Sequence, residues 1–380
     1  MEKVSAKRDG LILVLNSGSS SLKFGIYHPG ATDEEPLLTG SAEGIGRDNG
    51  SLHIRSSDGI PLLQRDCIHE SQGAALDALA QSIKVHIDRI PAAVGHRVVH
   101  GGPRLTRHQI ITPHVLDELR MATHFAPLHI PHALSLIASA QSIFPSAAQF
   151  ACFDDAFHQT IPEVASHFAL PQRYFDAGIR RYGFHGISYE SLVHHFGAET
   201  PRRAIFAHLG NGSSLCALRN GKSIDTTMGL TPTGGVPMAT RSGDLDPGVI
   251  IYLLRNEKLD ADGLEDLLNH RSGLFALSSG EGDVRALEAR ARSGDQKAQL
   301  ALDIFAVSVR KTIGAYLALL GGTDLLVFTG GIGEHSESIR TAATQGLEAL
   351  GLTPDKIKII PTEEERQIAR HCRKMLISQF

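Results

Sequence analysis

The sequence predicts an α/β protein of two similar domains, and three observations carry that reading. A strand–turn–strand unit occurs twice, apolar strands ending in glycine alternate with stretches of helical periodicity, and 380 residues is a length that fits two domains.

The repeated unit is plainest at residues 203–218, an apolar strand that runs into a Gly/Ser turn and out into a second strand. Its N-terminal counterpart is the strand 11–15, the turn Asn16-Ser-Gly-Ser-Ser-Ser-Leu22 and the strand 23–27. Laying residues 209–215 over 16–22 matches Ser213 to Ser20, Ser214 to Ser21 and Leu215 to Leu22. Glycine lets a backbone approach a ligand closely, and consecutive N–H groups with serine hydroxyls make a concave donor surface suited to phosphate oxygens. Either turn alone reads first as a tight hairpin. The pair suggests one polyphosphate gripped between two similar domains.

The remaining elements follow in chain order. Residues 1–10 are polar and read as an extension, residues 31–36 as a loop and residues 51–55 as a short alternating strand. Ala75, Leu76, Leu79, Ile83 and Val85 recur at helical spacing and predict an amphipathic helix over 70–90. The β-branched run 92–100 is a strand closed by Gly101, Gly102 and Pro103. Arg97 inside it is expensive to bury unless it meets an anion, whether an acidic side chain, a carboxylate or a phosphate. Residues 114–123 read as a helix and 125–132 as a rigid loop, where Pro131 argues against a helical face for His129 and His132 and so against a metal pair.

The strand 149–153 delivers Asp154 and Asp155 at its carboxyl end, where active residues of open α/β sheets collect. Asp154 is the better placed because it comes first off the strand. His185 lies between Phe184 and Gly186 in a loop, as a packed residue or a functional one. Residues 225–247 form a long Gly- and Pro-rich loop presenting Arg241, and loops of this length are usually functional. A helix follows over 248–256. The strongest periodicity lies in 296–320, where Leu302, Phe305, Val309, Ile313, Tyr316 and Leu320 are spaced 3, 4, 4, 3 and 4, as in a core helix that could also contact a second subunit. Gly321 and Gly322 end it, and residues 324–329 are a buried strand running into Gly330-Gly-Ile-Gly-Glu334 and a helix.

Composition narrows the function classes. Hydrophobic residues at 42%, charged residues at 21% and a net charge of −4 describe a globular chain with no broad attraction for nucleic acid or anionic lipid. Four dispersed cysteines, Cys67, Cys152, Cys216 and Cys372, fit reduced thiols, and no apolar run reaches the length of a signal core or membrane span. A cytoplasmic protein is expected. The common nucleotide signatures fail: Ser336 stands at the third glycine of a dinucleotide fingerprint, and Cys216 at the first glycine of a P-loop ending in Gly221-Lys222-Ser223. Neither G-x-S-x-G nor H-E-x-x-H is present.

Taken together, the segments resemble the acetate and propionate kinase family of the actin and sugar-kinase superfamily. The resemblance spans residues 11–366 and rests on Asn16-Ser-Gly-Ser-Ser-Ser-Leu-Lys23, Gly95-His-Arg-Val-Val-His-Gly-Gly102, Phe153-Asp-Asp-Ala-Phe-His-Gln159, Tyr182-Gly-Phe-His-Gly186, residues 208–214 and Thr240-Arg-Ser-Gly-Asp244. Gly331-Ile-Gly-Glu334 and Pro361-Thr-Glu-Glu364 extend it.

It implies an α/β fold of two ribonuclease H-like (actin-like ATPase) domains with a cleft between them. Residues 1–154 plus 366–380 would form the first domain. Residues 155–365 would form the second, which carries the nucleotide site and the contacts of a homodimer. The resemblance further implies reversible, Mg²⁺-dependent transfer of the ATP γ-phosphoryl to acetate, with Mn²⁺ able to replace Mg²⁺. Asn16 and Glu364 would hold the metal. Lys23, His208, Leu209, Gly210, Asn211, Gly212, Asp283, Val284, Arg285, Gly331, Ile332, Gly333, Glu334 and His335 would line the ATP site. Arg97 would bind the acyl carboxylate, with Val99, Leu128, Phe184 and Pro232 around its alkyl end, and Asp154, His185 and Arg241 would be catalytic.

The chain departs from the family pattern at Ile130, His132, Ile187, Tyr189, Gly234, Pro237, His335 and Glu363, and is shortened between Leu350 and Pro361. Propionate or butyrate kinase chemistry of the same mechanism is the nearest alternative, and a non-catalytic actin-like nucleotide switch is one of another class.

Overall fold

The structure, a computed structural model, describes residues 10–18, 20–29 and 33–378. The expected extension over 1–9, Ser19 of the first turn, and residues 31 and 32 of the expected loop lie outside the described residues. The chain divides into two compact units. One runs to Ala156 and includes Gly186–Ser191 and the stretch from Glu363 onward; the other comprises Phe157–His185 and Leu192–Thr362.

The first unit is built on β1 (Ile12–Ser17), β2 (Ser21–Pro29), β3 (Glu34–Glu43), β4 (Ser51–Ser56), β5 (Pro61–Asp66), β6 (Ala93–Val98), β7 (Gln109–Ile110) and β8 (Ala148–Phe153). They form one sheet in the order β5-β4-β3-β2-β1-β6-β8-β7. β1 is antiparallel to β2 and parallel to β6, which is parallel to β8. The second unit carries β9 (Arg203–Leu209), β10 (Ser213–Arg219), β11 (Lys222–Thr226), β12 (Leu325–Thr329) and β13 (Ile357–Ile359) in the order β11-β10-β9-β12-β13. Here β9 is antiparallel to β10 and parallel to β12, which is parallel to β13. The series β3-β2-β1-β6-β8 therefore recurs as β11-β10-β9-β12-β13. That duplicated sheet is the ribonuclease H-like arrangement, and it bears out the internal repeat.

Side chains alternate across a strand, so β1 feeds two cores. Leu13 and Leu15 pack with Ala75, Leu76 and Leu79 of the helix Gln72–His86 and with Leu136 and Ala140 of the helix Ile130–Ile143. Ile12 and Val14 pack with Ile368, Ala369 and Cys372 of the helix Glu364–Ser378 on the opposite face. Gly95 in β6 permits that close approach: a Cβ there would lie 2.5 Å from Cys372 Sγ and 2.7 Å from Ile368 Cγ2. The docking sets Glu364 and Glu365 at the carboxyl end of β1.

In the second unit the helix Gln296–Leu320 occupies the range its periodicity predicts, and Gly321 caps it in the left-handed conformation at φ 69°. Phe305 is fully buried in the core against β9, β10 and β12. Phe305→Ala should destabilise the protein by about 3–5 kcal/mol, which denaturant unfolding checks; a loss below about 1 kcal/mol would mean the site collapses around the deletion.

Three expectations are corrected. The loop expected over 31–36 is strand from Glu34, because Pro36 lies at a register shift opposite Tyr27 where a missing N–H is tolerated. The rigid loop over 125–132 yields to a helix from Ile130, in which Pro131 occupies the first turn, where no intrahelical N–H bond is needed. The first predicted helix is shorter than 70–90, and Val85 is 78% exposed, off its buried stripe. Gly221-Lys222-Ser223 is no phosphate loop: Asn220 (φ 52°) and Gly221 (φ 72°) turn the β10–β11 hairpin. Among the described residues no helix is long and apolar enough to cross a membrane.

Candidate active site

Two clusters of the predicted residues form, one in each unit. In the first, β6 presents Arg97 beside the carboxyl end of β8. Arg97 Nε donates to Asp154 Oδ2 at 2.8 Å and its Nη2 donates to the same oxygen. Arg97 Nη1 donates to Asn16 Oδ1 at 3.3 Å, and Asn16 Nδ2 donates to Glu364 Oε2 at 3.0 Å and Glu365 Oε1 at 2.8 Å. Asn16 stands at the end of β1, and the two glutamates in the first turn of the helix Glu364–Ser378.

The electrostatics of this cluster are unbalanced. Among the described residues, three carboxylates gather about Asn16 and the one guanidinium of Arg97. Burial pushes the Asp154 carboxyl up to about 6 even though Arg97 pulls it down. Burial opposes the Arg97 charge too, but Asp154 and Glu364 more than offset it and hold the guanidinium protonated. Asp154 Oδ1 is buried with no hydrogen-bond partner. A buried bare oxygen among hard oxygen donors, with surplus negative charge, is what a divalent cation such as Mg²⁺ or Mn²⁺ satisfies. The residues present fit that ion.

In the second unit the ends of β9 and β12 and the β9–β10 turn come together. The turn is tight: Gly210 N–H donates to Gly212 O at 3.0 Å, and Ser213 Oγ donates to Gly210 O at 3.0 Å. His185 sits at φ 59°, ψ 21°, just ahead of the helix Gly186–Phe196. That left-handed conformation costs a residue with a Cβ about 1–2 kcal/mol. The ring is fixed by a 2.9 Å hydrogen bond between Nδ1 and Ser214 Oγ and by stacking on His208 at 4.3 Å. A Cβ on Gly212 would lie 3.2 Å from His185 Nε2 and 3.5 Å from Arg241 Nη1. Imidazole and guanidinium thus converge over the glycine turn, with Arg241 Nη1 anchored on Pro232 O at 3.3 Å. Backbone strain held by its surroundings is a mark of functional positions.

The helix Gly330–His335 starts beside the same turn. A Cβ on Gly330 would meet Leu209 O at 2.7 Å and His208 Nε2 at 3.2 Å, and Glu334 Oε1 accepts from Gly330 N–H at 3.0 Å. Its Gly331, Ile332, Gly333 and His335 therefore leave from the side of His208. Asp283 caps the helix Val284–Arg292, accepting from Ala286 N–H at 3.0 Å, with Val284 buried and Arg285 exposed. Leu209 is buried in the core, while Asn211 is exposed at the turn. Lys23 is exposed on β2, in register with Asn16.

The four apolar residues expected around the acyl chain divide between the units: Val99 and Leu128 are half-buried in the first, Phe184 and Pro232 buried in the second. Asp155 is fully buried and takes no part in the Arg97 cluster; it accepts from Gly101 N–H at 3.0 Å beside His100. Glu365, which accepts from Asn16, is not among the residues the sequence singles out. The acidic run 363–365 after Pro361-Thr362 is the signal that could have found it.

Residues 11–377 match the model of the acetokinase family. The chain is 38% identical to the acetate kinase of Methylocella silvestris over 96% of its own length and 98% of that protein. Among solved structures it resembles the acetate kinase of Porphyromonas gingivalis at 32% identity and TM-score 0.85, covering 97% of this chain and 100% of that one. It resembles a propionate kinase from Francisella tularensis at 34% identity and TM-score 0.89, covering 96% and 100%.

Proposed function

The chain belongs to the acetokinase family, and from that premise we propose that it transfers the γ-phosphoryl of ATP reversibly to acetate, giving acetyl phosphate and ADP. The observation that carries the reading is Arg97, a charged guanidinium held by Asp154 beside an oxygen ligand set with one bare carboxylate oxygen.

The reaction sets a charge problem. A carboxylate attacking a polyphosphate is opposed by roughly 4 kcal/mol for each close pair of unit charges at an effective dielectric near 20. No general base is needed, since acetate is ionised at neutral pH with a pKa near ~4. Arg97 receives the acetate carboxylate. Asp154 positions Arg97 through Oδ2, and its Oδ1, with Asn16 and the Glu364 carboxylate, would hold Mg²⁺. When bound, that ion supplies positive charge to the phosphate oxygens that leave with ADP. Arg241 and His185 are the donors for the equatorial oxygens of the transferring group, preorganised over Gly212. His208, Leu209, Gly210, Asn211, Gly212 and the helix Gly330–His335 offer glycine backbone and N–H groups for the nucleotide, with Asp283, Val284, Arg285 and Lys23 at its margins.

Hydroxylamine trapping of the acyl phosphate tests the reading. Acetate, propionate and butyrate should all give ATP-dependent hydroxamate, with kcat/KM values of acids one methylene apart within about 10- to 200-fold of each other, because one methylene in an apolar pocket is worth only about 1–3 kcal/mol. Preference for propionate would favour the second reading, which the likeness to the Francisella tularensis propionate kinase supports. ATP turnover indifferent to all three acids would leave only a nucleotide switch.

Two further features complete the proposal: a cytoplasmic protein that acts as a homodimer. The helix Pro247–Asn256 buries none of its residues and exposes Val249, Ile251, Tyr252 and Leu254. An apolar helix face of this kind is one that a second copy covers. Sedimentation should show a dimer that Ile251→Asp converts to monomer; a wild-type monomer removes the dimer.

A further inference from the structure

We propose that His108, Glu190 and His371 form a binding site for one divalent transition-metal cation of the zinc class, distinct from the oxygen-lined cluster at Asp154.

The three side chains reach one point in the first unit from three separate elements. His108 lies just before β7, Glu190 in the helix Gly186–Phe196 and His371 in the helix Glu364–Ser378. Their ligand atoms all lie within 4.8 Å of one another. His108 Nε2 is 3.2 Å from Glu190 Oε1, and His371 Nε2 is 2.7 Å from Glu190 Oε2. Ligands at roughly 2.0–2.2 Å from a tetrahedral zinc stand roughly 3.3–3.6 Å apart, so small side-chain shifts admit the ion. The two rings are 4.0 Å apart at 44°, which brings both ring-nitrogen edges to the same carboxylate.

The hydrogen bonding is frustrated in a way a cation relieves. Gln367 Oε1 accepts from Arg370 Nη1 at 3.0 Å, which turns the Gln367 NH₂ toward His371 Nε2, also at 3.0 Å. One nitrogen cannot take that N–H and also donate to Glu190. With the Nε2 lone pair turned to Gln367, no proton lies between His371 Nε2 and Glu190 Oε2 at 2.7 Å, an oxygen that His108 Nε2 also approaches at 3.3 Å, and a cation taken up in place of the Gln367 N–H makes the contact attractive. Burial above all lowers the His371 imidazole, the neighbouring imidazoles hold the Glu190 carboxyl below the usual carboxylate range against burial, and Glu190 in turn raises His108 to about 9. Imidazole nitrogens select Zn²⁺, Co²⁺ or Ni²⁺ over Mg²⁺, and three protein ligands leave a position for water. Uptake carries a cost at His108. Its Nδ1 accepts from Phe153 N–H at 3.0 Å, so Nε2 bears the proton in the metal-free chain. The cation displaces that proton to Nδ1, and Phe153 N–H loses its acceptor.

Titrating chelator-treated full-length protein with Co²⁺ in excess Mg²⁺, without nucleotide, tests the site. The expected result is one equivalent of Co²⁺ bound with the visible absorption of a four- or five-coordinate nitrogen-ligated ion, displaced by Zn²⁺. Glu190→Gln and His371→Gln should each weaken binding at least about tenfold, while Asp154→Asn leaves the band in place. Thermal melting shows which variants fold, and either one suffices. Absence of a Co²⁺ band in the wild type, or an unchanged affinity in a folded Glu190→Gln or His371→Gln protein, overturns the proposal.

Discussion

Replacing Arg241 by alanine should lower kcat for acyl phosphate formation by roughly 10³-fold or more, comparable to loss of an arginine finger. The size follows from the charge problem: 10³ corresponds to about 4 kcal/mol, the repulsion of one close unit-charge pair left uncancelled. The geometry argues that the effect falls on kcat. Arg241 Nη1 is tied to Pro232 O and converges with His185 Nε2 over Gly212, the place for a transferring group rather than for ground-state binding. Arg241→Lys should recover only part of the rate, because an ammonium cannot reproduce the guanidinium fork. Initial rates by hydroxamate trapping check both variants, and near-normal turnover in Arg241→Ala removes this residue from the mechanism.

Arg97→Ala should act differently, raising KM for acetate by roughly 10²-fold, as expected when a charged hydrogen-bonding partner worth about 2–5 kcal/mol is removed. It should also destabilise the fold by about 3–5 kcal/mol, because Asp154 is left as a buried charge without its partner. The second effect separates the two roles of Arg97. In Arg97→Ala/Asp154→Asn the buried charge is gone, so stability should return while the acetate KM stays high. Stability and KM recovering together would mean that Arg97 serves Asp154 alone.

Much of this was legible in the sequence, for identifiable reasons. The helix Gln296–Leu320 lies where Leu302, Phe305, Val309 and Ile313 placed it, because one buried stripe at period 3.6 fixes a long helix. The alignment of the two turns found the duplicated sheet, since glycine and serine are demanded by local backbone geometry. Asp154, His185 and Arg241 stood out as polar residues at strand ends and in glycine-rich loops. Other features were local and overlooked. Asn220-Gly221 is a hairpin signal, and it marks β11. Pro131 reads as a helix breaker, although a first-turn proline starts a helix. The meeting of His108, Glu190 and His371 was not legible at all. These residues are 82 and 181 positions apart along the chain, and only the docking of the helix Glu364–Ser378 against the sheet brings them together.

The central claim is that a carboxylate oxygen, admitted by cancelled charge, attacks the γ-phosphorus directly. The most direct test is ³¹P NMR of the product formed from ATP and acetate labelled with ¹⁸O in both carboxyl oxygens. One ¹⁸O bonded to phosphorus, seen as an isotope-shifted acyl phosphate resonance, is the predicted result. An unshifted resonance, or inorganic phosphate released at a rate that ignores acetate, would contradict it.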